Sequence, residues 1–196
     1  MRLLIATTNP GKVGEYQHLL NGLAYELVSL SEVGITREVD ETGATYEENA
    51  LLKAREYAAL SGLLTLADDS GLEVDALGGR PGVHSARYAP DSPARIRKLL
   101  AEMQNVPAAE RTARFQCVIA LAWPDGRTEI TTGACEGQIA TEARGVNGFG
   151  FDPVFYVPES GLTMAELPDN VKNLISHRAR AAQKMRPMLE RILKER

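Results

Sequence analysis

Two periods of apolar residues alternate along the first half of the chain. RLLIA, residues 2–6, carries four apolar residues after Arg2 and predicts a first strand, and the polar stretch TTNPGK follows it. In VGEYQHLLNGL, Val13, Tyr16, Leu19 and Leu20 recur at helical spacing, so this region predicts strand, loop, helix. YELVSL predicts a second short strand, and a loop rich in Gly, Thr and acids runs to Gly43. Thr45 followed by Glu48 is a capping-box signal for a helix through YEENALLKAREYAAL, which Gly62 is placed to stop. LLTLAD predicts a third strand, ending on Asp68 and Asp69 with a Ser-Gly turn behind them.

The second half changes character. Ser92-Pro93 fits the cap and first residue of a helix through ARIRKLLAEMQ. FQCVIALAW, the turn PDG and RTEITTGACEGQI predict an antiparallel hairpin of two longer strands. The glycine-rich RGVNGFGFDP leads into a strand at VFYV, and a helical region is expected from about Thr163. Ser176 would cap HRARAAQKM, and Pro187 would kink or break that helix. Alternating strands and helices followed by a hairpin predict an α/β fold with a mixed sheet flanked by helices. Without repeats or a low-complexity linker, residues 1–196 are expected to form a single domain.

Composition narrows the function classes. Hydrophobic residues make up 44% of 196, enough for a substantial core. The 22 basic and 26 acidic residues give a net charge of −4 with no long run of one sign, so a polymeric nucleic acid is not an expected partner. No apolar stretch reaches membrane-spanning length. Cys117 and Cys135 lack CxxC spacing and a signal-like start precedes neither, which predicts reduced, buried thiols in a cytoplasmic protein.

Three loops carry candidate chemistry. TTNPGK places hydroxyls, an amide and Lys12 just before a helix N-terminus, a setting that suits an anion. It is not a Walker A loop, because Ala6 and Val13 stand where the first glycine and the Ser/Thr belong; an ordinary strand-to-helix turn is the alternative. If the strand continues through them, Asp68 and Asp69 point to opposite faces, one inward and one toward the TTNPGK side. With Glu41 in the acidic loop DETG, they supply the oxygen donors that Mg²⁺ takes; a solvated turn is the plain alternative. Asn49, Lys53 and Glu56 share one helix face, which either reaches the site or is solvated. No two histidines have zinc-ligand spacing and GxSxG is absent, so neither a zinc site nor a nucleophile elbow is expected.

Taken in order, these segments resemble the inosine triphosphate pyrophosphatase family. TTNPGK matches its T-x-N-x-x-K start, and TYEENALLKA resembles its S/T-Y/F-x-E-N-A helix. ADDSGLEVDALGGRPGVHSARY resembles the central signature, NGFGFDPVF the glycine-aromatic loop, and KNLISHRARA the C-terminal motif. The five matches run from Thr7 to Ala181; one departure is His84, where the family more often has Tyr.

The resemblance implies a two-lobed α/β fold, a homodimer, and hydrolysis of deaminated purine nucleoside triphosphates such as dITP and XTP to monophosphate and pyrophosphate. By position, Thr7, Thr8, Asn9, Pro10, Gly11 and Lys12 would bind the triphosphate. Glu41 and Asp69 would hold Mg²⁺, with Asp69 also the general base for water. Lys53, Ser70 and Lys172 would contact substrate, while Phe149, Gly150, Phe151, Asp152, His177 and Arg178 would surround the base. Two rival readings are a Maf-like pyrophosphatase for other modified nucleotides, against which the SHR motif and FGFDP loop speak, and a sensor that binds the triphosphate without hydrolysing it.

Overall fold

The computed structural model describes residues 1–195. Its strands are β1 (Arg2–Ile5), β2 (Glu26–Ser29), β3 (Leu64–Val74), β4 (Thr112–Ala122), β5 (Thr128–Ile139), β6 (Phe155–Val157) and β7 (Leu162–Thr163). Its α-helices are α1 (Pro10–Leu19), α2 (Tyr46–Ser61), α3 (Ser92–Glu102), α4 (Asp169–Ile175) and α5 (His177–Lys194). The strands pair in the order β2-β1-β3-β4-β5-β6-β7. Parallel pairing of β1 with β2 and β3 and antiparallel pairing of β6 with β5 and β7 make the sheet mixed, as the alternating pattern predicts.

The chain divides into two compact units. Unit 1 contains Met1–Asp69, Cys117–Gly133 and the chain from Arg178; unit 2 contains Ser70–Gln116 and Ala134–His177. Each has its own core. In unit 1, Leu3, Ile5, Tyr16, Leu66, Ile119 and Met185 form one cluster, and Leu4, Ala50, Ala54, Ala58 and Ala120 form another. In unit 2, Leu72, Leu99, Met103, Phe115, Phe155 and Met164 pack together.

Local chemistry sets several boundaries. Thr45 and Glu48 form the predicted capping box, and Gly62 ends α2 in the left-handed region at φ 66°. The cap of α3 is Asp91, one residue before the expected Ser92, because its carboxylate accepts the Ala94 N–H at 2.7 Å. The DDSG segment is no turn: β3 runs straight through it to Val74. Both carboxylates find charged or amide partners across the strand, described below, so neither is needed to cap local backbone. Thr163 lies in β7 and α4 begins only at Asp169, later than the pattern suggests.

Pro187 does not end α5, which continues to Lys194. A proline inside a helix deletes one backbone bond, to the carbonyl of residue 183, and so weakens the turn around it. Burial of Met185, Leu189 and Ile192 in unit 1, with a bond from the Tyr25 hydroxyl to the Leu189 carbonyl at 3.0 Å, holds the distal turns. Leu189→Ala should therefore cost about 2–5 kcal/mol in urea unfolding. Leu60→Ala, at a half-exposed position on α2, should change stability by less than about 0.5 kcal/mol in the same measurement.

Candidate active site

In unit 1 the expected phosphate loop is built around a cap. The Asn9 side chain accepts from the N–H groups of Gly11 at 2.9 Å and Lys12 at 3.4 Å, and Thr7 Oγ1 accepts the Asn9 N–H at 3.2 Å. Two of the helix-start donors are thus taken by Asn9 itself. Thr7, Thr8 and Pro10 border an open groove of about 500 Å³ together with Ser29, Ser31 and Arg37.

Lys12 turns inward and meets Asp68 at 2.9 Å. The same Asp68 oxygen accepts from Arg178 Nη2 at 3.1 Å and Nε at 3.3 Å, and Cys117 Sγ lies 3.8 Å away. Arg178 Nη1 donates to Glu15. Burial would raise the Asp68 carboxyl, but Lys12, Arg178 and Lys53 override it and hold the group far below the usual carboxylate range. Burial and then the Asp68 charge push the Cys117 thiol up to about 12, so it is an inert buried thiol rather than a nucleophile.

The neighbouring Asp69 has the opposite environment. Asn49 Nδ2 donates to its Oδ2 at 3.1 Å, while Lys53 Nζ stands 3.7 Å from Oδ1 and also bonds Glu41. Burial and then the Glu41 charge outweigh Lys53 and raise the Asp69 carboxyl above its ordinary value. Two adjacent acids thus have pKa values pushed apart, one carboxylate locked by cations and the other raised by burial and a neighbouring acid. Lys53, despite burial, is held charged by Asp69, Asp68 and Glu41.

Unit 2 holds a second polar cluster. Lys172, buried on α4, bonds Asp152 at 2.7 Å, and the same Asp152 oxygen accepts the Phe149 N–H at 2.9 Å. Lys172 Nζ also lies 5.0 Å from the centre of the Phe149 ring. A Cβ on Gly148 would collide with the Asp152 carboxylate and crowd Lys172, so only glycine lets the loop close on this pair. His177 stacks on Phe115 with ring centres 4.7 Å apart. Gly150 is half-buried, as is Ser70 beyond the acids, and His84 is exposed in the 3₁₀ turn Gly82–Arg87.

The expected site residues therefore fall into two groups. Unit 1 gathers Lys12, Glu41, Lys53, Asp69 and the TTNPGK loop; unit 2 gathers Phe149, Asp152, Lys172 and His177. Two of the residues expected around the base are buried: Arg178 is 2% exposed and bonds Asp68 and Glu15, and Phe151 lies in the unit 2 core with Tyr88 against its edge. Of the two alternatives for the helix face of Asn49 and Lys53, the one that reaches the acids holds, and Glu15 is the charged partner the sequence pattern does not single out. Glu15 stands one helical turn beyond Lys12, a charge beside the buried Tyr16 that could have marked it.

The model of the Ham1 family matches residues 3–188. The chain belongs to the Ham1 family. A dITP/XTP pyrophosphatase of Symbiobacterium thermophilum is 52% identical over 99% of this chain and 98% of its own length. One from Bacillus subtilis is 49% identical over 95% and 96% respectively. Among solved structures, a HAM1 protein from Coxiella burnetii superposes with a TM-score of 0.88 at 41% identity, covering 97% of this chain and 99% of that one. The Staphylococcus aureus Ham1 protein gives 0.86 at 41% identity, with 98% and 100% coverage. The fold is thus that of Ham1 proteins throughout.

Removing Arg178 takes a buried cation from two carboxylates, leaving Asp68 to Lys12 and Glu15 without the guanidinium. Arg178→Met should lower stability by about 3–5 kcal/mol, read by chemical denaturation. Equal stability would show that Lys12 alone neutralises the pocket.

Proposed function

We propose that this Ham1 protein hydrolyses deaminated purine nucleoside triphosphates, dITP and XTP among them, to the monophosphate and pyrophosphate. The observation that carries the reading is the contrast between Asp68, locked between Lys12 and Arg178, and Asp69, raised and facing Lys53 with Glu41 beside it. The names of the full-length relatives support the substrate class.

In this reading Asp69 takes a proton from water, whose oxygen attacks the α-phosphorus. The bond from that phosphorus to the α,β-bridging oxygen breaks, and pyrophosphate leaves. Lys12, Lys53 and the Thr7–Gly11 loop supply positive charge and donors for a highly anionic substrate bound by an acidic chain. The Phe149 ring offers a stacking face for a purine, and Asp152, Lys172 and His177 offer polar edges.

Asp69 and Glu41 suit Mg²⁺. Both are carboxylates, the hard oxygen donors this ion takes, and both already face a single positive charge on Lys53. The bound ion would neutralise phosphate charge and orient the leaving group. A homodimer and a cytoplasmic location complete the proposal. The homodimer comes with the family resemblance, and the buried, unbridged Cys117 and Cys135 suit the reducing compartment.

Asp69→Asn keeps the size and loses the charge. Pyrophosphate release from dITP should fall by at least about 10²–10⁴, with nucleotide binding retained in an equilibrium assay. Near-normal turnover would remove Asp69 from the chemistry.

Base preference follows from the carbonyl at purine position 6, an acceptor in hypoxanthine and xanthine where adenine carries a donor. A pocket donor left facing the adenine amino group costs about 1–3 kcal/mol. The unmutated chain should therefore show kcat/KM for dITP and XTP at least about tenfold above dATP, in a panel at equal concentration. Parity with dATP would refute the specificity.

A further inference from the structure

We propose that Asn49 is the positioning residue of this site: its buried amide fixes the loop carrying Glu41 against Asp69 and so sets the separation of the two carboxylates. The proposal rests on the reading of Glu41 and Asp69 as a cation site.

Asn49 is fully buried on the first turns of α2 and uses both ends of its amide. Oδ1 accepts the Gly43 N–H at 2.8 Å, and Nδ2 donates to Asp69 Oδ2 at 3.1 Å. The loop reaches the amide because residue 43 is glycine. A Cβ there would lie 2.7 Å from Asn49 Oδ1 and 2.6 Å from Glu48 Cβ, both too close. The next two loop donors are bound as well: the Ala44 and Thr45 N–H groups reach Glu48 at 2.6 and 3.1 Å. Three successive backbone donors are thus held by two adjacent side chains, and Glu41 stands only two residues upstream.

Lys53 also touches both carboxylates, but its contact is of another kind. An ammonium competes with a divalent cation for the same oxygens, whereas Asn49 occupies Asp69 Oδ2 and leaves Oδ1 facing Lys53. The amide therefore keeps its hold when a cation enters. The choice of residue type is strict. Asp would oppose a carboxylate to Asp69, Leu would break both bonds, and Gln would need one more methylene where Gly43 leaves no room.

The test uses the full chain and three readouts: Mn²⁺ binding by electron paramagnetic resonance without nucleotide, the Mg²⁺ dependence of pyrophosphate release, and unfolding in urea. Asn49→Leu should weaken Mn²⁺ binding and raise half-saturating Mg²⁺ together by about 10–100-fold, as losing support behind a metal ligand does. KM for dITP at saturating Mg²⁺ should move far less. Gly43→Ala never touches Asp69, yet it should give the same signature, and the double variant should fall short of the summed effects. Gly43→Ala also keeps the test usable if Asn49→Leu does not fold. Lower stability in both variants with Mn²⁺ affinity and Mg²⁺ dependence unchanged would make the amide merely structural and overturn the proposal. If the unmutated chain binds no Mn²⁺ and hydrolyses dITP without Mg²⁺, the cation reading itself falls, and the proposal falls with it.

Discussion

The buried carboxylate of Asp68 constrains everything around it. An isolated charge in that interior is untenable, so the chain must bring cations to it before unit 1 can close. Lys12 arrives from the start of α1 and Arg178 from the start of α5, segments 166 residues apart in sequence. Glu15 then neutralises what remains of the guanidinium charge. The cluster of Asp68, Glu15, Lys12 and Arg178 balances at two charges of each sign, and it pins the first turns of two helices to β3. Hydrophobic packing could hold the same helices, but without fixing their ends at one point on the strand.

From that anchor the properties of Asp69 follow by strand geometry. Successive side chains of β3 point to opposite faces, so whatever locks Asp68 on one side turns Asp69 to the other. Asp69 cannot share Lys12 and Arg178 on equal terms. It meets Lys53, Asn49 and the charge of Glu41 instead, and its carboxyl is raised where that of Asp68 is depressed. Two adjacent acids in one strand thus have different work: Asp68 builds the floor with Lys12 and Arg178, and Asp69 faces Asn49 and Lys53 on the other side.

How much of this was legible in the sequence depended on the range of the interaction. The capping box at Thr45 and Glu48 and the stop at Gly62 are local events within four residues, and the pattern located them. The family motifs single out Lys12, Lys53 and Asp69, and the acidic loop DETG adds Glu41; the structure brings these four side chains together in unit 1. Turn propensity misread DDSG, since the partners that let the strand continue lie far along the chain. The break offered at Pro187 fails for a related reason: propensity registers the lost bond, while the burial of Leu189 and Ile192 that offsets it is tertiary. The bonds of Arg178 to Glu15 and Asp68 span 163 and 110 residues, and no local pattern announces them.

Unit 2 solves a comparable problem with fewer charges. The loop before Asp152 has almost no regular structure: backbone bonds from Arg144, Val146 and Asn147 tie its first part, and a buried pair ties its end, where Lys172 on α4 holds Asp152 and the same oxygen of Asp152 holds the Phe149 N–H. A loop tethered by a helix lysine through a shared carboxylate can present an aromatic ring without a sheet behind it. The arrangement also makes Lys172 do two things at once, since its ammonium neutralises Asp152 and approaches the face of Phe149. A neutral residue at 172 would fail at both, leaving a buried carboxylate unpaired by lysine and the ring without its cation. That coupling ties the order of the loop's end to the charge beside the Phe149 ring, so both depend on the same side chain.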